Sequence, residues 1–182
     1  MNPRMLIAIF TTLIAHSGIA QDSVSHQPLL LNADYIELDF STGKRLYQGN
    51  VVLTQGDVTI ECDEMTTMHD DDDELFHALC IGDPGIFKKE PKQTGQEALT
   101  GSAANITYDR KNNQVLLVDR AKLERGRIFV NGYRISHNLS TEKTIVQGDR
   151  QDSDMTQASE SSESGASSRP KVVILPKQDP DS

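Results

Sequence analysis

Two stretches of the chain, LYQGNVVLTQGDVTI at residues 46–60 and LLVDRAKLERGRIFV at residues 116–130, follow one pattern. Each alternates apolar and polar side chains, turns at a glycine and resumes the alternation, which predicts a β-hairpin. Any β-meander shares such alternation, but not the glycine position and the turn length. We therefore infer an internal repeat of about 70 residues. The matched pairs in these stretches are Leu46 and Leu116, Leu53 and Leu123, Gly56 and Gly126, Val58 and Ile128, and Ile60 and Val130.

Strand-like alternation continues on both sides of these hairpins, and no stretch shows a helical period. Short strands at this spacing predict an all-β sandwich, barrel or jelly roll. A repeated hairpin buries its apolar face only by stacking on its neighbours, which predicts an elongated, semi-open structure with an apolar lumen. Its two sheet edges would remain available for pairing. The predicted strands are residues 29–31, 35–40, 46–54, 58–65, 75–81, 105–108, 115–118, 121–124, 128–135 and 143–147.

The first twenty residues have the pattern of a cleavable signal peptide. Arg4 precedes an apolar run from Met5 to Ala15, and Gly18-Ile19-Ala20 supplies small residues for cleavage after Ala20. The alternative is a membrane anchor, but the run is shorter than the roughly 18–20 residues that a spanning helix needs. We expect a secreted chain whose main domain covers residues 21–150.

The C-terminal part changes character at residue 151. Residues 151–168 are rich in Ser, Glu, Asp and Gln, which predicts a disordered linker. Residues 169–182 form a tail in which Val172, Val173, Ile174 and Leu175 lie between two prolines. Flanking prolines favour a short edge strand. We expect this strand to dock on a sheet edge, either its own or that of a neighbouring molecule.

Composition argues against nucleic-acid binding. Asp and Glu total 27 against 18 Lys and Arg, so the net charge is −9, and aromatic residues are only 5% of the chain. A basic surface for phosphates and aromatic platforms for bases are both lacking.

No pattern in the sequence predicts a catalytic, metal or cofactor site. The histidines lack ligand spacing, and the acidic run at residues 70–74 lacks the Gly and distant Glu of a calcium loop, so we interpret it as a solvated hairpin tip. A secreted glycan-active β-sandwich enzyme is an alternative, because paired carboxylates perform that chemistry. Recurrence at turn edges favours a structural role for its candidates, which are Asp34, Asp39, Asp63 and Asp109.

Cys62 and Cys80 form an even pair in a chain expected to be secreted, so the compartment permits a disulfide. If the hairpin turns near Asp71, both cysteines lie nine residues from the tip and face each other. A single bulge would break that register, so a structural disulfide and two free thiols both remain open.

The motifs together resemble the OstA-like superfamily of periplasmic lipopolysaccharide-transport proteins. The resemblance covers residues 27–148 and the tail strand. It is carried by Gly49–Gly56, Ile60–Asp63, Asn105–Asp109, Val115–Leu117, Gln27-Pro28-Leu29 and Val172–Pro176. It implies a twisted, semi-open β jelly roll that binds the lipid A of lipopolysaccharide without a cofactor.

The resemblance also implies partners in the periplasm. Copies would assemble head to tail between a single-span inner-membrane export partner, LptC-like, and the N-terminal domain of an outer-membrane translocon, LptD-like. The junction strands would be Leu29 to Leu31 at one end and Val172 to Leu175 at the other. A membrane-anchored member of the same pathway is a further alternative, against which the cleavable signal argues.

Alternation along the strands predicts which apolar side chains face inward, and the resemblance makes them acyl-binding. Small β-barrels normally fill their own interior, so we expect about half of the set to contact lipid. The set is Leu29, Leu31, Ile36, Leu38, Val58, Ile60, Phe87, Ile106, Tyr108, Ile128 and Val130.

Overall fold

The computed structural model describes residues 27–149 and 169–176, and all regular structure in these residues is β-strand. None of the described segments is a helix that could span a membrane. The predicted signal peptide and the whole of the predicted linker lie outside the described residues. The strands are β1 Leu29–Asn32, β2 Tyr35–Asp39, β3 Lys44–Gln55, β4 Val58–His69, β5 Leu75–Lys89, β6 Leu99–Asp109, β7 Gln114–Arg125, β8 Ile128–Asn138, β9 Thr144–Gln147 and β10 Lys171–Ile174.

All ten strands form one antiparallel sheet in the order β1-β3-β4-β5-β6-β7-β8-β10, with β2 also paired to β3 and β9 also paired to β8. Within the described residues the sheet does not close on itself. One edge consists of β1 and β2, and the other of β10 and β9. The all-β class is therefore confirmed, as is the open topology.

The long strands are all interrupted at the same level of the sheet, which we call the kink. Bulges of this kind bend a sheet and increase its twist. They divide it into half-sheet I, which contains β2 and β9, and half-sheet II, which contains β1 and β10. The register shifts fall between Gln48 and Val51, Glu61 and Glu64, Ile81 and Gly85, Ser102 and Asn105, and Val118 and Ala121.

The two half-sheets fold onto each other about the kink and share one apolar core. A Cβ atom at Gly101, in half-sheet II, would lie 2.8 Å from Cδ1 of Leu117, in half-sheet I, so only glycine leaves room there. On the side away from the kink, Arg125 at the end of β7 donates to Glu142 in the β8–β9 turn at 2.9 Å. The result is a groove between two half-sheets.

The 70-residue repeat is visible in the backbone. Residues with positive φ recur in pairs 70 positions apart, at equivalent turns and bulges. The bulge pair Gly49-Asn50 corresponds to Asp119-Arg120, which differ completely in side chain, so this equivalence could not be read from the sequence. The pairs are Gly43 and Asn113, Gly49 and Asp119, Asn50 and Arg120, and Gly56 and Gly126.

Two strand assignments differ from those expected. Residues 115–118 and 121–124 are one strand, β7, because the bulge at Asp119-Arg120 bends the strand without ending it. The second half of β5 and the first half of β6, Leu99 to Ser102, were not predicted as strands. Pro84 and the glycines around it suggested a break, but the structure accommodates them within the kink.

The tail strand β10 pairs with β8 of its own chain. Val172 lies opposite Val130 in half-sheet II, while β9 pairs with the other half of β8 in half-sheet I. β9 and β10 thus form one edge strand split at the kink. β5 holds the equivalent place in the first repeat, because Phe87 lies opposite Ile60 as Val172 lies opposite Val130.

Candidate functional site

The predicted inward-facing residues all lie on one face of the sheet. Directly opposed residues in antiparallel strands project to the same side, so a face can be followed from strand to strand. In half-sheet II, one continuous row of inner-face residues comprises Leu31, Leu53, Ile60, Phe87, Gly101, Leu123, Val130 and Val172. In half-sheet I, a matching row comprises Ile36, Tyr47, Met65, Cys80, Ile106, Leu117, Ile135 and Val146.

On the side away from the kink, these two apolar rows are not bordered by further rows that are wholly apolar. Two residues further from the kink along each strand lies the next row of inner-face residues in each half-sheet. These rows contain both apolar and polar side chains, and we call them the rim rows. Lipid chains and a polar headgroup would therefore meet different parts of the same groove. The rim rows are Leu29, Gln55, Val58, Lys89, Leu99, Arg125, Ile128 and Ile174 in half-sheet II, and Leu38, Arg45, Thr67, Ala78, Tyr108, Val115, His137 and Thr144 in half-sheet I.

Burial divides the predicted set by position along the groove. The central members are buried and fill the space between the half-sheets: Val58, Ile60, Phe87, Ile106, Tyr108 and Val130. Leu29 and Leu31, on β1, are half-buried. At the two ends, Ile36, Leu38 and Ile128 are 46%, 45% and 40% exposed although they face inward. Apolar inner surface is thus open at both ends of the groove and packed in its middle.

The tail strand contributes to one open end. Val172 and Ile174 project to the inner face and are largely exposed, whereas Val173 projects to the outer face. Leu175 follows the strand, and its backbone N–H donates to the Arg127 carbonyl at 3.0 Å. Of the four predicted junction residues of the tail, two therefore extend the groove.

Sequence reasoning missed much of the buried lining. Tyr47, Met65, Leu117 and Ile135 belong to the apolar row of half-sheet I but were not predicted as inward-facing. A bulge that adds one residue to a strand shifts the alternation. Apolar residues that alternate regularly in the sequence therefore project to one face of the sheet before such a bulge and to the other face after it. The positive φ at residues 49–50 was signalled by Gly49-Asn50, whereas Asp119-Arg120 carried no signal.

Two histidines lie in the groove wall and are hydrogen-bonded to neighbouring groups. His69 contacts the Thr67 hydroxyl through Nε2 at 3.0 Å and the Asp73 carbonyl through Nδ1 at 3.0 Å. His137 contacts the Thr144 hydroxyl through Nδ1 at 2.8 Å. Burial, followed by nearby positive charge, lowers the pKa of His137. No group of three or more His, Cys, Asp or Glu side chains in the described residues could hold a metal ion.

Two of the four candidate acidic residues of the enzyme alternative, Asp39 and Asp109, stabilise turns. Hydrogen bonds from the side chain of Ser41, then that of Thr42, lower the pKa of Asp39 to about 2. At the equivalent turn of the second repeat, partial burial opposes ionisation, but hydrogen bonds from Asn112 lower the pKa of Asp109. A general acid needs a raised pKa, so this pair is poorly suited to acid–base catalysis.

Cys62 and Cys80 are both buried and both free. The expectation that they lie opposite each other is wrong, since Met65 is the residue opposite Cys80. Bulges in β4 and near its turn shift the register. The thiols are nevertheless neighbours, because the Cys62 side chain acts directly on the pKa of Cys80, and Cys80 Sγ lies 3.8 Å from the carbonyl oxygen of Glu61, the residue before Cys62. A hydrogen bond with Cys62, followed by burial, raises the pKa of Cys80.

Comparisons with known proteins match the sequence of this chain to one family. Residues 30–143 match the family model described as LptA/(LptD N-terminal domain) LPS transport protein. The chain is 26% identical over 147 residues to the lipopolysaccharide export system protein LptH of Pseudomonas aeruginosa, covering 80% of this chain and 82% of that protein. It is 22% identical over 147 residues to LptA of Escherichia coli K12, covering 79% and 78%.

A solved structure shares the fold. The crystal structure of LptH from Pseudomonas aeruginosa, titled the LptA homologous periplasmic component of the conserved lipopolysaccharide transport device, superposes with a TM-score of 0.68 at 24% identity. The match covers 82% of this chain and 96% of that one.

Proposed function

Because the chain belongs to the LptA/(LptD N-terminal domain) family of lipopolysaccharide transport proteins, we propose that it carries lipopolysaccharide across the periplasm with the acyl chains in its groove. The observation that carries this proposal is the pair of apolar rows, which run between two open sheet edges and are exposed at both ends. The named relatives are lipopolysaccharide export proteins, which supports the same cargo and compartment. The proposal assigns the chain no enzymatic activity and no cofactor.

The groove meets the physical requirement of such transport. Each CH₂ group exposed to water costs about 0.8 kcal/mol, so an amphiphile with several acyl chains needs continuous apolar cover in an aqueous compartment. The two apolar rows would cover the acyl chains. The polar side chains of the rim rows would lie nearer to the sugars and phosphates, which would remain close to water. Because the middle is packed, the half-sheets must separate there to admit a chain.

The chain also contains a template for contact between copies. Inside the molecule, the first repeat ends at β5 and the second begins at β6, with Phe87 opposite Gly101 and Cys80 opposite Ile106. β10 and β9 are equivalent to β5, and β1 and β2 are equivalent to β6. We therefore propose that β9 and β10 of one copy pair with β2 and β1 of the next, as β5 pairs with β6.

This junction would continue both apolar rows from copy to copy. The β5–β6 register places Val172 opposite Leu31 and Val146 opposite Ile36 of the next copy. Ile174 would face Leu29, and Thr144 would face Leu38. Such a head-to-tail contact does not close on itself, so it builds a filament.

Strand addition also suits the partners that the family suggests. An edge strand supplies backbone hydrogen bonds with little demand on sequence, so related β domains at either membrane can add to the same edges. We propose an LptC-like inner-membrane partner and the N-terminal domain of an LptD-like translocon as those end partners.

Titration with purified lipopolysaccharide tests the cargo. Ile36→Glu places a charge on the exposed inner face and is expected to weaken binding at least tenfold. Glu37→Gln, one residue along on the outer face, is the matched control and should bind as the unmodified protein does. If all three proteins bind equally and circular dichroism shows unchanged folds, the groove is not the binding site for lipopolysaccharide.

A further inference from the structure

One polar side chain on the groove wall has an atom without a partner. Gln55 ends β3 on the inner face, opposite Leu29 of β1 and Val58 of β4. It is only 9% exposed. Within residues 27–149 and 169–176, no donor reaches its buried Oε1 atom. Buried polar groups are almost always hydrogen-bonded, so such an atom calls for an explanation.

A second unpartnered atom lies in the facing half-sheet. Arg45 is also an inner-face residue of β3, and its buried Nε finds no acceptor among the described residues. Its terminal nitrogen is already paired with Asp73. Arg45 and Gln55 are each five residues from Asn50, where β3 bends at the kink. Arg45 and Gln55 thus lie in the rim rows of different half-sheets, and the Arg45 guanidinium also lies over the Phe40 ring, 5.7 Å from its centre.

The second repeat shows how the chain itself can satisfy this position. Arg125 lies 70 residues after Gln55 and occupies the same place at the end of β7. There the side chain spans the groove and donates to Glu142 at 2.9 Å. Gln55 has no such partner within the described part of the chain, although it occupies the equivalent place.

We propose that Gln55 Oε1 accepts a hydrogen bond from a hydroxyl or amide group carried on an acyl chain in the groove. Either group has a hydrogen to donate, which matches the free acceptor. The surrounding apolar rows hold the hydrocarbon, so Gln55 selects chains that bear a polar group near the rim. This inference rests on the proposed lipid-carrying function.

Three probes separate the polar groups: tetradecanoate, 3-hydroxytetradecanoate and tetradecanamide. The unmodified protein is expected to bind the hydroxylated or the amide chain about tenfold more tightly than the plain chain, since one buried hydrogen bond is of that order. Gln55→Met keeps the size of the side chain and removes the acceptor. It should bind all three probes with similar Kd.

Thermal unfolding gives an independent readout for the same variant. Gln55→Met removes a buried unpartnered atom, so its Tm should rise by about 3–6 °C. The matched control is Gln48→Met, on the outer face of the same strand, where Gln48 donates to Glu64 at 3.0 Å. This control should keep the probe preference of the unmodified protein and show no rise in Tm.

The outcomes distinguish this inference from the proposed function. A preference in the unmodified protein that Gln55→Met abolishes and Gln48→Met retains supports the contact, and the preferred probe identifies the group. Binding of all three probes with equal Kd by the unmodified protein would overturn the contact alone. Failure to bind any of the chains would overturn both the contact and the lipid-carrying function.

Discussion

Phe87 and Val172 occupy equivalent positions in the two repeats, yet Phe87 is fully buried and Val172 is 57% exposed. The difference lies in the next strand. β6 covers Phe87, with Gly101 directly opposite. β10 has no further strand beyond it in the described part of the chain. In the described residues, the sheet therefore ends where a third repeat would begin, and this is the edge that we propose a second copy covers.

Substitution of this equivalent pair should have unequal effects on the isolated molecule. Phe87→Ala leaves a cavity in the core and is expected to lower the free energy of unfolding by about 3–5 kcal/mol. Val172→Ala removes an exposed side chain and should change it by no more than about 0.5 kcal/mol. Urea denaturation at a concentration that keeps the protein monomeric measures both. Similar losses would mean that Val172 is already covered.

The junction register can be tested by cysteine pairing. A mixture of Leu31→Cys and Val172→Cys proteins should form a disulfide-linked dimer on mild oxidation, because the two inner-face positions are expected to lie opposite each other across the junction. Val173→Cys is the matched control, since it projects to the outer face of the same strand. The native cysteines are present in every variant. Equal yields from the two tail positions would refute the proposed register.

Cys62 and Cys80 give a third prediction. A periplasmic protein meets oxidising conditions, and the two thiols are neighbours, so we expect them to form a disulfide in the cell with a small local shift. Alkylation of the denatured, unreduced protein should then label no cysteine, and reduction should expose two. Reduction should also destabilise the fold, by roughly 2–3 kcal/mol for a loop of this length. Two labelled cysteines in the unreduced protein would show that the pair stays free.

His137 predicts a loss of stability in mild acid. In the folded protein, burial is the largest cause of the lowered pKa of His137. The positive charges of Arg125 and Lys89 lower this pKa further, whereas the negative charge of Glu142 raises it. The unfolded chain therefore binds more protons once the pH falls below about 6.5, which favours unfolding. The free energy of unfolding should decrease from that pH downwards, until the folded pKa is reached.

His137→Asn serves as the test of this pH dependence. It should flatten the stability curve below about pH 6.5. An unchanged slope would assign the effect to other groups. Asp39 affects stability in a separate, more acidic range of pH. Its pKa is lowered from 3.8 to about 2 in the folded protein, so its contribution to the free energy of unfolding is lost as the pH falls between these two values.

The repeat was predictable, and so was the inward orientation of part of the lining, because alternation and glycine turns are local properties. Ile60 and Val130 could be matched, and all eleven predicted lining residues do face inward. The kink was not predictable, because Asp119-Arg120 adopts positive φ without the glycine that usually signals it. Because of the bulges at the kink, Cys62 does not lie opposite Cys80. The bulges also interrupt the alternation beside Tyr47 and Met65, so the pattern of the sequence did not predict that they face inward.

The polar rim could not be predicted either. Gln55 and Arg45 look like ordinary solvent-facing residues at strand ends, since glutamine and arginine are usually exposed. Only the fold about the kink places them inside the groove. Likewise, the exposure of Ile36 depends on which strand lies next to β2, and in the described residues β2 pairs with β3 alone.

Photo-crosslinking in living cells tests the central claim most directly. A photoreactive residue at Val172, on the inner face, should give an adduct with lipopolysaccharide, and the same residue at Val173, on the outer face, should give none. The adjacent positions share strand and residue type and differ in the face of the sheet, although Val173 is also the less exposed of the two. Adducts of equal yield at both positions, or none at Val172 while transport proceeds, would contradict the account.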